Sequence, residues 1–494
     1  MRILKRLEKS IGCWFLILVS IVFFFLRFPS LFEPNWYGDE GIYQVLGIGM
    51  NAGRLLYRDI FDNKPPLLYY LYSLVSSDQF MIRLLSLIAG LLAIWAFYYL
   101  SRKILENQKA SIIATSFFAV LFGLPLIEGN IANAENFMLF PNILSAIFVL
   151  KSIEASTQKK MFYLVFAGLI VGISFLFKIV AIFDFAAFLV FIFFANYSKD
   201  LIGIFKLENL KIEIKNLFPF ILGFLAPITF ISIIFLVKGA FSDFLTAILF
   251  SNIGYVGYGN KFIIPQGFLI LKLIILSSFL LFLFIKRKNL GNYFIFASVW
   301  LAFSLFNAYF SQRPYTHYVL VLLPSFCLMI GFFNINKKNS KLAGIFFLSA
   351  FIAIIISFNF YSKTVFYYQN FVSFLSGTKS VYQYQKFFDG NTPNDYEIAN
   401  YLNMRLNKND NIFIWGNNAQ VYMLTNKLPP GKYAVAYHIA NYKDGLKNTK
   451  TNLNLEKPKY IVIMPNVSPF PFVLSNYINK ININGINIYE KISY

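Results

Sequence analysis

The chain has 494 residues, of which 57% are hydrophobic and only 14% are charged, and this balance excludes a water-soluble globular protein. A net charge of +21 would suit nucleic-acid binding, but the basic residues form short clusters between long apolar runs, so they indicate membrane topology and no nucleic-acid partner. Two cysteines, both within apolar runs, and two histidines exclude a disulfide framework and a histidine-based metal site.

Apolar runs of membrane-spanning length recur along the first three quarters of the sequence. A helix of about 20 residues crosses the roughly 30 Å hydrocarbon core of a lipid bilayer. The runs therefore predict about eleven transmembrane helices, at residues 11–28, 81–100, 111–127, 137–150, 161–177, 180–195, 217–237, 267–285, 291–308, 318–333 and 342–358. The first run is long and no small-residue cleavage site follows it, so we expect a retained helix rather than a signal peptide.

Clusters of Lys and Arg alternate with these runs, and the positive-inside rule assigns them to the cytoplasm. They occur within residues 2–9, 102–109, 151–160, 199–215, 286–288 and 337–341. We therefore expect a multi-pass protein of the plasma membrane with a cytoplasmic N-terminus. The predicted transmembrane domain covers residues 1–358. Its outward loops are predicted at 29–80, 128–136, 238–266 and 309–317.

The composition changes near residue 360, where the long apolar runs stop and Asn, Lys, Tyr and Pro take over. Residues 392–395 contain the proline and the acid that are typical of a first helical turn. Ile412–Trp415 and Tyr460–Met464 are short β-branched or aromatic runs bounded by Gly or Pro, so they predict strands. Residues 359–494 are therefore predicted to form a small extracytoplasmic α/β domain.

The loop at 29–80 concentrates ionisable residues beside the predicted membrane face, where they are expensive to hold and are usually kept for function. Asp39 and Glu40 form an adjacent acidic pair about ten residues past the first predicted helix. A carboxylate in this place could act as a general base toward an acceptor hydroxyl. The alternative is that the pair caps an interfacial helix predicted from Gly41 to Gly49, or simply marks a solvated loop.

Three cations follow on the same loop, namely Arg54, Arg58 and Lys64. Arg offers a phosphate a planar fork, and Lys offers it a compact point charge. Two prolines after Lys64 favour a helix start, and an apolar, Tyr-rich helix is predicted from Leu67 to Val75. These residues predict a phosphate site, with lipid-headgroup binding by scattered basic residues as the alternative.

Two further outward loops carry polar residues suited to a sugar or a phosphate. Glu128 and Glu135 are seven residues apart, a spacing that would put both carboxylates on one face of a helix. Arg313 and His317, with Tyr315 between them, belong to a compact polar loop that could bind a phosphate or sugar hydroxyls. Solvation of helix ends and interfacial anchoring are the alternatives for these loops.

Taken together, these features resemble the integral-membrane glycosyltransferases of the C-type fold, which use polyprenyl-phosphate sugars and include protein O-mannosyltransferase and aminoarabinose-transferase relatives. The segments that carry the resemblance are 37–40, 53–59, 62–67, the region of Glu135, 313–324 and 415–422. The resemblance implies that Asp39 is the catalytic base, that Glu40 helps to set the site and that Lys64 contacts the donor phosphate. Asn63 stands where the aminoarabinose transferases have an acid before this lysine, which leaves the donor and acceptor open.

The activity implied by the resemblance is transfer of a sugar from a polyprenyl-phosphate donor to a hydroxyl of a glycolipid, polysaccharide or protein. It would occur at the outer membrane face, with inversion. We expect the donor phosphate to be bound by Lys64 and one or more of Arg54, Arg58 and Arg313. We expect the sugar to contact Glu128, Glu135, His317 and Tyr315. The scheme needs no cofactor; a divalent cation could assist, but the carboxylates show no fixed ligand spacing.

A transporter or flippase for lipid-linked glycans is the main alternative, and a non-catalytic membrane sensor or assembly subunit is another. A transporter would place charged groups within the spans and often show repeated halves. Among the acids only Asp184 lies inside a predicted span, and Lys178, at the tip of an apolar hairpin, is expected to snorkel. The remaining charges gather in loops, which favours the glycosyltransferase.

Overall fold

The computed structural model describes residues 2–197, 207–252, 268–310, 315–335 and 339–492. Within these ranges ten helices are long and apolar enough to cross a membrane, so this is a multi-pass membrane protein. They confirm the predicted spans with one exception. The run predicted at 111–127 forms a shorter helix of 16 residues, and a single 3₁₀ turn follows it at Pro125–Ile127.

The helices are labelled in chain order. Up to residue 252 they are α1 (Arg2–Arg27), α2 (Gly38–Asn51), α3 (Pro66–Leu74), α4 (Gln79–Leu105), α5 (Gln108–Gly123), α6 (Ala134–Glu154), α7 (Thr157–Phe175), α8 (Ile182–Asn196), α9 (Leu207–Val237) and α10 (Phe241–Leu245). The later helices are α11 (Leu269–Leu290), α12 (Asn292–Phe310), α13 (Leu323–Phe333), α14 (Ser340–Ser357), α15 (Thr364–Leu375), α16 (Val381–Phe388), α17 (Thr392–Asn403), α18 (Gln420–Leu424), α19 (Ala436–Asn441) and α20 (Gly445–Glu456).

The chain divides into two compact units. The first unit contains residues 1–28, 85–234 and 252–364. The second contains residues 29–84, 235–251 and 365–494. The charged segment between the first two long apolar runs therefore groups with the C-terminal residues, whereas the sequence had suggested a division at residue 358.

In the first unit, helices α7 and α9 approach each other backbone to backbone. A Cβ atom on Gly168 would overlap the carbonyl oxygen of Phe220, and one on Gly223 would overlap that of Val165. Membrane helices lack a hydrophobic driving force between them, so small residues that allow close packing hold them together. These glycines fix the spacing of the two spans.

Asp184 is a buried acid within α8 of the first unit. Its two carboxylate oxygens accept hydrogen bonds from Trp300 Nε1 at 2.7 Å and from Asn142 Nδ2 at 2.9 Å. A buried carboxyl group needs such partners, because burial without them is strongly unfavourable. Asp184 therefore links α6, α8 and α12 through hydrogen bonds. This packing role explains why an acid lies inside a predicted span without requiring a transporter.

The second unit contains a four-stranded sheet built from β1 (Ile412–Trp415), β2 (Tyr460–Ile463), β3 (Tyr477–Ile483) and β4 (Ile486–Lys491). The strand order is β1-β2-β4-β3, with β1 and β2 parallel and β4 antiparallel to both its neighbours. This confirms the small predicted α/β domain. The turn between β3 and β4 is Asn484-Gly485, whose positive φ angles of 49° and 87° match the mirror-image turn that suits a hairpin.

Candidate active site

Asp39 lies in the first turn of α2, where the positive end of the helix dipole favours a carboxylate. Its Oδ2 atom accepts a hydrogen bond from the Tyr43 hydroxyl at 3.0 Å and lies 3.3 Å from Lys64 Nζ. The helix begins at Gly38, and its N-cap residue, Tyr37, makes no side-chain capping bond. Asp39 therefore points to Tyr43 and Lys64 rather than capping the helix, and its side chain stays 37% exposed.

Lys64 is held by its backbone just before α3. Its N–H donates to the Tyr69 hydroxyl at 3.1 Å, and its carbonyl oxygen accepts from the Tyr57 hydroxyl at 2.7 Å. Pro65 and Pro66 then start the helix, as the sequence predicted. The ammonium group lies 4.8 Å from the centre of the Tyr43 ring and is only 18% exposed, so it is directed toward Asp39 rather than into bulk solvent.

A second carboxylate, Asp62, supports Lys64 from the other side. Its Oδ2 atom lies 3.6 Å from Lys64 Nζ and accepts a hydrogen bond from the Tyr69 hydroxyl at 2.7 Å. Its Oδ1 atom accepts from the backbone N–H of Asn63 at 2.8 Å. Lys64 therefore lies between the partly exposed carboxylate of Asp39 and the buried carboxylate of Asp62.

His438, on α19, contacts Asp62 from the C-terminal part of the second unit. Its Nε2 atom is 3.7 Å from Asp62 Oδ1, and its ring packs among Phe61, Tyr437 and Tyr442. Burial lowers the pKa of His438 to about 4, so the imidazole is neutral at physiological pH. No periodic pattern or motif in the sequence predicted this residue, because its contact with Asp62 joins positions far apart in the chain.

Glu40 points away from Asp39 into a buried ion-pair network. Arg83 Nε donates to Glu40 Oε1 at 2.6 Å, and a second guanidinium nitrogen pairs with the other carboxylate oxygen. Arg83 Nη1 also lies 3.1 Å from Glu33 Oε2, and Glu33 accepts from the Tyr367 hydroxyl at 2.6 Å. The network fixes the first turn of α2, which favours a positioning role for Glu40.

The arginines expected at the donor phosphate are engaged elsewhere in the second unit. Arg54 Nη1 donates to the carbonyl oxygens of Pro429 at 2.8 Å and Gly431 at 2.9 Å, and burial lowers the pKa of this guanidinium. Arg58 is half-exposed and forms an ion pair with Asp59 at 2.8 Å. A phosphate-binding role for either arginine stays a prediction, and it would require these contacts to open. Arg313, the fourth expected cation, lies outside the described residues.

The first unit brings Glu128, Glu135 and His317 together, although not as the spacing suggested. The chain turns at Glu128, whose φ is 60°, and α6 begins only at Ala134, so the two acids do not share a helix face. Instead, His317 lies between them: Nδ1 is 3.0 Å from Glu128 Oε2, and Nε2 is 3.8 Å from Glu135 Oε1. The Thr316 hydroxyl donates to Glu128 at 2.5 Å.

Two neighbours complete this cluster in the first unit. Lys178 forms an ion pair with Glu135 and lies over the Tyr318 ring, 4.7 Å from its centre. The expectation that Lys178 snorkels is therefore wrong, because its ammonium is paired with a buried acid. Tyr315 stacks on the His317 ring at 5.5 Å and remains 43% exposed. Carboxylate, imidazole and phenol groups are thus gathered where polar hydroxyls could bind.

Within the part of the chain that is described, no group of three or more His, Cys, Asp or Glu side chains is arranged to hold a metal ion. Asp39 and Asp62, the two acids beside Lys64, are each engaged by that cation.

Residues 63–206 match the family model of the dolichyl-phosphate-mannose-protein mannosyltransferases. The fold is similar to that of ArnT from Cupriavidus metallidurans bound to undecaprenyl phosphate, with a TM-score of 0.55, 14% identity and coverage of 97% of this chain and 98% of that one.

A second similar structure is the oligosaccharyltransferase AglB of Archaeoglobus fulgidus in complex with an inhibitory peptide and a dolichol-phosphate. It has a TM-score of 0.50 and 12% identity, and the match covers 92% of this chain and 69% of that one. No curated protein sequence matches the chain. The predicted resemblance is confirmed: the chain has the C-type fold of membrane glycosyltransferases that use polyprenyl-phosphate donors.

Proposed function

We propose that this protein transfers a sugar from a polyprenyl-phosphate donor to an acceptor hydroxyl, at the outer face of the plasma membrane and with inversion at the anomeric carbon. The observation that carries the proposal is the contact between the Asp39 carboxylate and the Lys64 ammonium, 3.3 Å apart. A base for the acceptor and a cation for the leaving phosphate are thereby held side by side.

In the proposed reaction, Asp39 accepts the proton of the acceptor hydroxyl as its oxygen attacks the anomeric carbon. The bond between that carbon and the phosphate oxygen breaks, and the polyprenyl phosphate leaves with the electron pair. Lys64 neutralises the charge that develops on the phosphate. The proton stays on Asp39 until it is released to solvent, so the step needs no co-reactant.

The ion pair between Asp39 and Lys64 must open when the donor binds, because the phosphate takes the place of Asp39 beside the ammonium. Asp62 keeps Lys64 in position during this exchange, since its carboxylate contacts the same nitrogen at 3.6 Å. The neutral His438 lies 3.7 Å from the opposite oxygen of Asp62, so it adds no charge that would compete for the phosphate. Both act as positioning residues.

The acceptor belongs, in this proposal, to the glycolipid, polysaccharide or protein class, and the transferred sugar is a hexose or a pentose. Hydroxyl groups of a sugar suit the cluster formed by Glu128, Glu135, His317 and Tyr315, because carboxylates accept and the imidazole both donates and accepts hydrogen bonds.

The proposed orientation has a cytoplasmic N-terminus and an extracytoplasmic C-terminal domain.

The function can be tested by incubating the purified protein in lipid nanodiscs with a panel of polyprenyl-phosphate sugars. We expect release of free polyprenyl phosphate, accelerated by extracts containing the acceptor glycans. Movement of intact donor across a vesicle membrane without cleavage would instead identify a flippase. Absence of both activities would contradict the proposed function and favour a non-catalytic membrane sensor or assembly subunit.

Replacing Lys64 by methionine is expected to lower transfer efficiency by about 10- to 100-fold, because a hydrogen bond to a charged group contributes roughly 1.5–3 kcal/mol. The loss should appear in the apparent affinity for the donor as well as in turnover, since the phosphate carries charge before and after cleavage. Initial rates at varied donor concentration separate the two effects.

Lys432→Met is the matched control for this variant. Lys432 also pairs with a carboxylate, Asp444, at 2.8 Å and lies over an aromatic ring, that of Phe61, at 5.6 Å. Its loss should change stability slightly and donor affinity not at all. If the two variants changed the donor affinity equally, Lys64 would not be a phosphate-binding residue.

A further inference from the structure

A pocket of about 130 Å³ lies in the second unit at the carboxyl ends of β1 and β2. Its lining includes Asn391, Asp395, Asn417, Asn418 and Asn466. The two strands are parallel, so the loops that follow them emerge at the same edge of the sheet. In open α/β sheets this edge is where ligands bind.

The loops that form the pocket are closely packed against each other. A Cβ atom on Gly416 would come within 2.5 Å of Met464 Cγ, so only glycine fits where the two loops cross. The Met464 N–H donates to the Trp415 carbonyl oxygen at 2.9 Å, which extends the pairing of the two strands by one residue. These contacts hold the loops after β1 and β2 against each other beside the pocket.

The floor of the pocket carries one carboxyl group. Asp395 is only 2% exposed and accepts a hydrogen bond from Asn418 Nδ2 at 3.0 Å. Burial raises the pKa of Asp395 to about 7, so near neutral pH this group can donate as well as accept a hydrogen bond. Asn391, Asn417 and Asn466 are exposed at the rim and present amide groups.

These groups specify the chemistry of the ligand. Amides and a partly protonated carboxyl match hydroxyl groups, which also donate and accept. None of the described residues that line the pocket is basic, which disfavours an anion. A single carboxyl disfavours Ca²⁺, which takes several oxygen ligands and usually more than one carboxylate. The volume is below the roughly 300 Å³ of a site for drug-sized molecules, so the bound group is small.

We propose that this pocket binds one neutral sugar ring of the acceptor, with its hydroxyls on Asp395 and the asparagines and its carbon face on Met464 and Ile486. The inference rests on the proposed function, because it assigns the acceptor to the glycan class. Both apolar side chains line the pocket and are buried. Sugars combine polar edges with apolar faces, and the lining provides a partner for each.

Two contacts join this pocket to the residues around Asp39, all within the second unit. The side chain of Asn417 accepts a hydrogen bond from the Tyr437 N–H at 3.2 Å, one residue before His438. The same loop continues to Gln420, whose side chain lies against Gly41, two residues after Asp39. A glycan held in the pocket is thus anchored on the loop that packs against the base-bearing helix.

Binding can be measured by saturation-transfer-difference NMR on the full-length protein in nanodiscs, with a panel of neutral methyl glycosides as probes. We expect at least one glycoside to bind, and Asp395→Asn and Asn391→Ala each to weaken it by about tenfold or more. Asn391 makes no side-chain cap to α17, so its replacement removes a pocket amide without removing a cap.

Asn400→Ala is the matched control, because Asn400 is an exposed asparagine on the same helix and is not among the residues that line the pocket. It should bind the glycoside like the wild type. Absence of glycoside binding, equal binding by all four proteins, or displacement of the glycoside by CaCl₂ alone would overturn the proposal.

Donor cleavage distinguishes this inference from the proposed function. Asp395→Asn should raise the KM for a glycan acceptor about tenfold, whereas Asn400→Ala, which lies outside the pocket, should cleave donor and use acceptor like the wild type. If the wild type binds glycosides but never cleaves a donor, the proposed function fails alone. If it cleaves donors and binds no glycoside, the pocket assignment fails alone.

Discussion

Asp39→Asn is expected to lower the rate of sugar transfer by about 10²- to 10⁴-fold, the range that a positioned general base contributes. Asparagine has the same shape as aspartate and can still accept a hydrogen bond from Tyr43, which lies 3.0 Å from Asp39 Oδ2. It cannot take the proton of the acceptor. Initial rates with saturating donor and acceptor in nanodiscs measure this loss.

Donor binding should survive the Asp39→Asn change. Removing the negative charge frees Lys64 from the ion pair at 3.3 Å, so the affinity for the donor phosphate should stay the same or increase. A fall in turnover together with unchanged or tighter donor binding is the signature of a lost base. A fall in turnover together with weaker donor binding would indicate that the substitution had deformed the site.

Asp59→Asn serves as the control for charge on the same segment. Asp59 pairs with the half-exposed Arg58 and accepts from the Leu55 N–H at 2.9 Å. Its replacement should leave turnover within about a factor of three of the wild type, because an exposed ion pair contributes little. Should Asp39→Asn retain most of its activity, or fall no further than Asp59→Asn, Asp39 is not the base.

Local patterns in the sequence predicted much of this arrangement. The proline pair after Lys64 marked the start of α3, and the proline and acid at 392–395 marked the start of α17. Both signals act within one helical turn, so they do not depend on the rest of the fold. The same holds for the ten long apolar helices, which depend on length and composition alone.

The hairpin formed by β3 and β4 was not predicted, although its turn has a typical sequence. Asn484-Gly485 between two alternating runs is the sequence typical of a tight hairpin, and it joins β3 to β4. The predicted domain lacked these two strands for that reason.

Contacts between distant residues could not be predicted in this way. Asp62 and His438 are separated by most of the chain, and so are Glu33 and Tyr367. The sequence around each of these residues does not indicate its partner, because tertiary packing decides which residues meet. Arg54 shows the same limit: its spacing on the segment suited a phosphate, yet the structure engages it with backbone carbonyls beyond residue 428.

Arg83→Met is expected to destabilise the protein by about 3–5 kcal/mol, the usual result of removing one partner from a buried ion pair. The side chains of Arg83 and Glu33 are fully buried, and that of Glu40 is 2% exposed. Methionine fills a similar volume but leaves two carboxylates without their cation. Reversible unfolding in mixed micelles, followed by tryptophan fluorescence, measures the difference in the free energy of unfolding.

The same change should lower transfer indirectly, because Glu40 fixes the turn of α2 that carries Asp39. Adding Glu40→Gln to Arg83→Met should recover part of the lost stability, since one uncompensated charge is removed. Arg58→Met, which breaks a half-exposed pair with Asp59, should leave the free energy of unfolding nearly unchanged, because water and salt screen an exposed ion pair. If Arg83→Met proves as stable as Arg58→Met, the buried network does not support the active-site helix, and Glu40 has to be considered for a direct role in catalysis.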